Sequence, residues 1–291
     1  MLTKQQLAHF ETFGFIIMRQ AFTANELAII DDEYERGLTS AYTHAPFDGT
    51  ERHWATMLGP DTPFFASLLE DARFYEVAEQ LYGEDVLGES SSANRYIGNT
   101  LWHPDHQIDA NKDSFGIKLA FYLDPADGQS GALRVIPGSH RNPLHDEVKT
   151  HLEQLGKEIS DIPGHVCESK PGDVVAFDTR LWHSSWGGAE GRRMCSVSYY
   201  SNPKTTGEEA GARHRASSVV SLPAKFNRPQ DAFHHPHWVA NATGSVRRAR
   251  WIRRLTELGY IRAPLRTRPA CRSLSGIDDP STSIMSSLFR T

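Results

Sequence analysis

Two histidines and an aspartate carry the sharpest chemical signal in this chain. In Trp102-His103-Pro104-Asp105 the imidazole and the carboxylate lie two residues apart. On extended backbone such residues point to the same side, so both can meet one ion. Eighty residues later, after the turn Pro171-Gly172-Asp173 and the apolar run Val174 to Phe177, Leu181-Trp182-His183 can bring a second imidazole from a neighbouring strand. Two histidines and one carboxylate on one face of a ferrous ion leave three adjacent positions open. A bidentate 2-oxo acid takes two of them and dioxygen the third, whereas four protein ligands would make a closed structural site. Read singly, His103 and His183 are two of 14 histidines and an HxD pair is a weak motif. The context has to decide.

The elements that must hold these residues are legible in part. Thr3-Lys4-Gln5-Gln6 and Thr23-Ala24-Asn25-Glu26 are capping boxes, each opening a helix, the first ended by Gly14 and the second by Gly37. Phe15 to Met18 between them suits a buried strand. Residues 38–60 have no period and hold Pro46, Gly49, Gly59 and Pro60, which predicts a long loop over a pocket. Thr62-Pro63 starts a broken helical stretch that reaches Gly83. From Asp85 the texture changes to short β-type runs, Ile117 to Leu123, Ala132 to Ile136, Val174 to Phe177 and Arg192 to Tyr200. Strands without alternating helices predict an antiparallel sandwich or jelly roll. Residues 143–158 interrupt them with a helix whose Leu144, Val148, Leu152 and Leu155 share one face. The expected organisation is one domain over 1–291: helical support in 1–84, a β-core with the metal site in 85–201, and an extension of lids and outer helices in 202–291.

Composition narrows the partners. Hydrophobic content of 39% with 23% charged residues fits a folded globular chain, and a net charge of -5 gives no overall footprint for nucleic acid or an anionic membrane. A small-molecule partner is expected; nothing sets an oligomeric state. Cys167, Cys195 and Cys271 form no CxxC pair, which predicts a reducing cytoplasm over a disulfide framework, and residues 1–20 fit neither a signal peptide nor a membrane span.

Four pieces in order, WHPDH, KLAFYLDPADGQSGALRVIPGSH, PGDVVAFDTRLWHSSWGG and RRMCSVSYY, resemble the phytanoyl-CoA dioxygenase family over residues 95–200. The resemblance implies a β-rich double-stranded β-helix (jelly-roll, cupin-like) core with flanking α-helices. It implies Fe(II) on His103, Asp105 and His183, with 2-oxoglutarate and dioxygen as co-substrates. Oxidation of a small organic molecule, hydroxylation in the first instance, would be coupled to release of succinate and carbon dioxide. Phe121 matches an aromatic position beside the co-substrate and Ser185 a hydroxyl that contacts it. Pro104 departs from the glutamine common in the family and removes one backbone N–H.

A distal carboxylate calls for a forked, permanently charged donor, and two arginines compete for it. Aligning RRMCSVSYY with the family's returning strand favours Arg192. Its face continues through Met194, Ser196 and Ser198, while Arg193 shares its face with Cys195, Val197 and Tyr199. Two rival functions are a zinc or manganese cupin of another class, which needs no 2-oxo acid anchor, and a non-catalytic jelly-roll binding protein, which needs no triad. Three features stand outside the motif set: His140, expected in a structural hydrogen bond; His234-His235-Pro236-His237, expected on a polar loop; and the basic helix RRARWIRR at 247–254, expected to present a solvated face.

Overall fold

A computed structural model describes residues 1–109, 114–156, 162–188 and 191–261. Both capping boxes form. Thr3 and Gln6 exchange side-chain and backbone bonds at the head of α1 (Lys4–Phe13), which Gly14 ends with φ +80°, and β1 (Phe15–Met18) follows. Thr23 and Glu26 do the same for α2 (Ala24–Ala41). This helix does not stop at Gly37 but runs four residues further. A Cβ on Gly37 would lie 2.6 Å from Met57 Sδ, so the glycine permits close packing and not termination. The predicted loop 38–60 likewise contains β2 (His53–Thr56), too short to show a period. The broken helical stretch resolves into α3 (Pro63–Leu68) and α4 (Ala72–Tyr82).

The β region follows as β3 (Leu87–Tyr96), β4 (Thr100–His103), β5 (Gly116–Tyr122) and β6 (Leu133–Val135). Next come α5 (Leu144–Leu155), β7 (His165–Cys167), β8 (Val174–Asp178), β9 (His183–Ser185) and β10 (Arg192–Tyr200). The end of the helix predicted over 143–158 lies partly outside the described residues. The chain then forms α6 (Thr206–Val220), α7 (Pro236–Ala240) and α8 (Val246–Leu258). The buried face of α6 is Gly211, Ala212, Ala216 and Val219, mostly small residues that give a hydrophobic period no contrast. Residues 262–291, and with them Cys271 and the end of the predicted extension, lie outside the described residues.

Among the described residues ten strands make two antiparallel sheets, a six-stranded one in the order β1-β8-β5-β10-β3-β2 and a four-stranded one in the order β4-β9-β6-β7. This is a jelly roll with flanking helices. The N-terminal 84 residues are more than support, because β1 and β2 supply both edges of the large sheet. Strand alternation splits that sheet into two chemistries. Ile117, Leu119, Phe121, Val197 and Tyr199 turn outward into a core with Ile30, Tyr34, Phe65, Phe74 and Trp251 of the helices. Ser90, Ser92, Asn94, Lys118, Ser196 and Ser198 turn inward and line a cavity. The small sheet is closed on its outer side by Leu152 of α5 against Trp102 and Trp182.

The basic helix α8 is docked, not solvated. Trp251 is fully buried and donates to Val86 O at 2.8 Å, while Arg247 pairs with Glu79 and Arg248 with Glu70. No described helix is long and apolar enough to cross a membrane. Since Trp251 fills the space left by Gly88 and meets Tyr199 edge-on at 6.1 Å, Trp251→Ala should cost about 3–5 kcal/mol, read as a lower urea midpoint at unchanged slope.

Candidate active site

Pairing of β4 with β9 sets His103 directly across from His183, with ring centroids 4.3 Å apart. Asp105 sits just past the end of β4, where the His106 N–H donates to Thr179 O at 3.0 Å and bends the chain inward. Ligand atoms of His103, Asp105 and His183 lie within 4.8 Å of one another, and no other His, Cys, Asp or Glu group of three among the described residues does so. Each histidine holds the carbonyl two residues before it: His103 Nδ1 is 2.7 Å from Leu101 O and His183 Nδ1 is 2.8 Å from Leu181 O. Those carbonyls can only accept, so the Nδ1 atoms carry the protons and both Nε2 lone pairs are free for a metal. Burial, reinforced by the neighbouring His103, pushes His183 down to about 3, and burial lowers His103 as well. Both rings are therefore neutral at pH 7. Burial opposes ionisation of Asp105, but the Lys118 ammonium 2.6 Å away and the two histidines hold its carboxyl well below the usual range. Two neutral imidazoles and one carboxylate are a donor set that fits ferrous iron.

The triad forms one wall of a cavity of about 340 Å³. Arg192, Met194, Ser196 and Ser198 face it from β10, as their shared parity predicts. The Arg192 guanidinium lies against Gly131 and Gly188, where a Cβ on either residue would collide with Nη1. Its Nε and Nη1 are buried without a hydrogen-bond partner among the described residues. Buried donors left unpaired are costly, and an anion in the cavity would satisfy them. Arg193, on the opposite face, is bound by Asp124 at 2.7 Å and Asp31 at 2.6 Å in an outer ion-pair cluster. Ser185 lines the cavity and donates to Gly131 O at 2.8 Å.

Phe121 is a correction. It points outward into the helix-facing core, 4.9 Å from Phe22, and the aromatic of β5 that lines the cavity is its neighbour Tyr122. The register Met194↔Tyr122 and Cys195↔Phe121 fixes that parity. His140 stands outside the metal group with Nε2 3.2 Å from Glu11 O, the structural hydrogen bond expected of it. The four-residue histidine cluster is not all polar loop: His234 is buried, 2.8 Å from Glu89 O, and His235 caps α7. His106 is half-buried beside Tyr200 and Arg215, and desolvation with the Arg215 charge pushes it down to about 3.

Sequence reading missed Lys118, Arg52, Glu89 and Arg215. Lys118, a lone charge between Ile117 and Leu119, was a readable signal; Arg52 in a stretch without period was not. Residues 38–60 and 201–245, predicted to cover the pocket, do supply its distal wall, through Arg52, Trp54, Arg215, Val219, Phe226 and Phe233. Trp54, Arg215, Val219 and Phe226 do so from β2, α6 and the 3-10 turn Pro223–Phe226, while Arg52 immediately precedes β2 and Phe233 lies between that turn and α7.

Comparison with known proteins agrees with this geometry. The profile "Phytanoyl-CoA dioxygenase (PhyH)" matches residues 10–194. An ectoine dioxygenase of Sphingopyxis alaskensis is 28% identical over 217 residues, covering 64% of this chain and 71% of that protein. One from Stutzerimonas stutzeri is 23% identical over 264 residues, covering 80% and 83%. Among solved structures, HygX from Streptomyces hygroscopicus with nickel and 2-oxoglutarate bound superposes with a TM-score of 0.57 at 21% identity, over 69% of this chain and 87% of that one. EctD from S. alaskensis with bound Fe gives 0.53 at 24% identity, over 69% and 77%. At these identities the structures show the shared fold.

The distal wall is tied down by a buried ion pair: Arg215 grips Glu89 with Nε–Oε1 at 2.7 Å and Nη2–Oε2 at 2.6 Å. Glu89→Ala strands the guanidinium and should cost about 3–5 kcal/mol in urea unfolding. A double replacement, Glu89→Leu with Arg215→Met, should recover most of that loss; equal loss in both would mean the pair is not what holds the wall.

Proposed function

The chain belongs to the phytanoyl-CoA dioxygenase family, and on that premise we propose that His103, Asp105 and His183 hold one ferrous ion while Arg192 anchors the distal carboxylate of 2-oxoglutarate. A small organic molecule in the rest of the cavity is oxidised, with hydroxylation as the favoured outcome. Dioxygen and 2-oxoglutarate are consumed and succinate and carbon dioxide released. Bound iron supplies the dioxygen activation and one-electron chemistry that protein side chains lack. The chain's own residues bind and orient. The Leu101 and Leu181 carbonyls fix the imidazoles in the tautomer that presents Nε2. Lys118 keeps Asp105 ionised and ready to ligate. Arg192 offers a planar fork suited to a carboxylate. Ser185 lines the same wall, and an arriving carboxylate would draw its proton from the Gly131 carbonyl, since charge-assisted bonds are the stronger ones.

The observation that carries this reading is the buried Arg192, whose Nε and Nη1 have no hydrogen-bond partner among the described residues, on the same cavity as the triad. A zinc or manganese cupin of another class needs no such anchor, and a non-catalytic binding protein needs neither feature. Cys167 and Cys195 are both buried free thiols, which supports a reducing cytoplasm as the working compartment.

The test uses 2-oxoglutarate labelled at the carboxyl next to its keto group. Iron-loaded protein should release labelled carbon dioxide, slowly even without the primary substrate, and Asp105→Ala should not. Arg192→Gln should raise the half-saturating 2-oxoglutarate concentration by roughly tenfold or more, the worth of a hydrogen bond to a charged group, and Arg193→Gln should leave it nearly unchanged. No labelled carbon dioxide at saturating iron would sink the reading, and the reverse ranking would move the anchor to Arg193.

A further inference from the structure

The cavity holds more positive charge than the proposed reaction uses. Among the described residues five cationic side chains face it, Arg52, Lys118, Arg192, Arg215 and Lys225, against two carboxylates, Glu89 and Asp105. Lys118 is paired with Asp105 and Arg215 with Glu89. Arg192 is assigned to 2-oxoglutarate. A ferrous ion and a 2-oxoglutarate dianion carry equal and opposite charge, so loading both leaves the balance positive. Arg52 and Lys225 remain. Among the described residues Arg52 bonds only to neutral groups, Asn94 Oδ1 and the Tyr96 hydroxyl, and Lys225 has no acidic partner.

The register separates Arg52 from the co-substrate position. Arg192 pairs with Tyr96 across β10 and β3, and Arg52 lies one residue before the His53↔Arg95 pair of β2 and β3, on the other side of Tyr96. The two guanidinium carbons stand 4.7 Å and 3.8 Å from the Tyr96 ring centroid. They reach that ring from strands on opposite sides of β3, so Arg52 gives the cavity a second cationic station beside Arg192. Next to Arg52 the wall turns apolar: Trp54 meets Phe226 at 5.4 Å and Phe233 at 5.9 Å between ring centroids. A cavity of about 340 Å³ is near the small end of ligand pockets, which span roughly 300–1,000 Å³, so the occupant is compact.

We propose that the primary substrate is a small organic anion, a carboxylate or a phosphate ester, whose charged group lies on Arg52 with Lys225 at the mouth and whose hydrocarbon part packs on Trp54, Phe226 and Phe233. The inference rests on the reading of the site as a 2-oxoglutarate-dependent oxygenase with Arg192 as anchor. A partly desolvated guanidinium prefers an ionised partner to neutral ones, and its fork suits carboxylate and phosphate alike. Excess positive charge in a cleft also raises the local concentration of an anionic substrate.

The test is calorimetric titration of the full chain loaded with Ni(II) and 2-oxoglutarate, a redox-inert complex. The probes are hexanoate, hexyl phosphate, hexanamide and hexylamine. At least one of hexanoate and hexyl phosphate should bind about tenfold tighter than hexanamide, and the better of the two names the anion. Arg52→Gln should erase that preference, Arg52→Lys should keep part of it, and 2-oxoglutarate affinity should stay unchanged in both. If Arg52→Gln fails to fold, the comparison of anions with hexanamide on the unmodified chain decides alone. Anions binding no better than hexanamide, or hexylamine binding best, would overturn the inference while normal 2-oxoglutarate binding leaves the oxygenase reading standing. Loss of 2-oxoglutarate binding in Arg52→Gln would overturn it too, by making Arg52 the co-substrate anchor. Failure of the unmodified chain to bind 2-oxoglutarate would end the oxygenase reading and the inference with it.

Discussion

Everything at this site depends on one strand pairing. β4 and β9 meet so that His103 and His183 lie opposite each other, and each ring is locked by a hydrogen bond to the carbonyl two residues back along its own strand. A slip of one residue would turn both imidazoles to the outer side of the small sheet, where Trp102 and Trp182 now pack against Leu152. Those two tryptophans each precede a histidine in sequence and occupy the opposite face, so their burial enforces the register. Hydrophobic packing on one side of the sheet thus sets the geometry of the candidate metal ligands on the other.

The large sheet repeats this division of labour. Its outer face is a continuous apolar core shared with the helices, and its inner face is built largely of serines, an asparagine and a few long polar side chains. A polar inner face cannot be collapsed against the small sheet without burying unpaired hydroxyls, so the sandwich stays open where those residues lie. Where the inner residues turn apolar, at Phe15, Val175, Phe177, Leu133 and Val135, the two sheets close on each other. The cavity is therefore a consequence of composition along β3 and β10. Its charged groups sit at fixed stations on neighbouring strands, Arg192 of β10 beside Tyr96 and Lys118 of β5 beside Asp105.

Much of this was legible in the sequence, and the limits have physical causes. Both capping boxes, the strand Phe15–Met18 and the helix over Leu144–Leu155 follow local rules and form as predicted. The triad could be chosen from 14 histidines because its spacing suits extended chain and its context repeats a family pattern. Strand parity separates Arg192 from Arg193, and the family alignment with the polar face of Met194, Ser196 and Ser198 points Arg192 to the cavity. The same parity, applied to β5, selects Tyr122 over Phe121, since Lys118 and Tyr122 share a face, whereas the family pattern points to Phe121. β2 was missed because four residues carry no measurable period, and α6 because its buried face is alanine and glycine. Arg52 could not be found, since what makes it notable is its place across β3 from Arg192, a relation between residues 140 apart in the chain.

The proposed coordination predicts a spectroscopic signature that fold and stability cannot mimic. A 2-oxo acid chelating ferrous iron at two adjacent open positions gives a weak visible metal-to-ligand charge-transfer band. Anaerobic protein titrated with Fe(II) and then 2-oxoglutarate should develop that band only when both are present, and the zinc-loaded protein should show none. No band at saturating iron and 2-oxoglutarate would contradict the account, because it would mean that His103, Asp105 and His183 do not leave the ion open to the co-substrate.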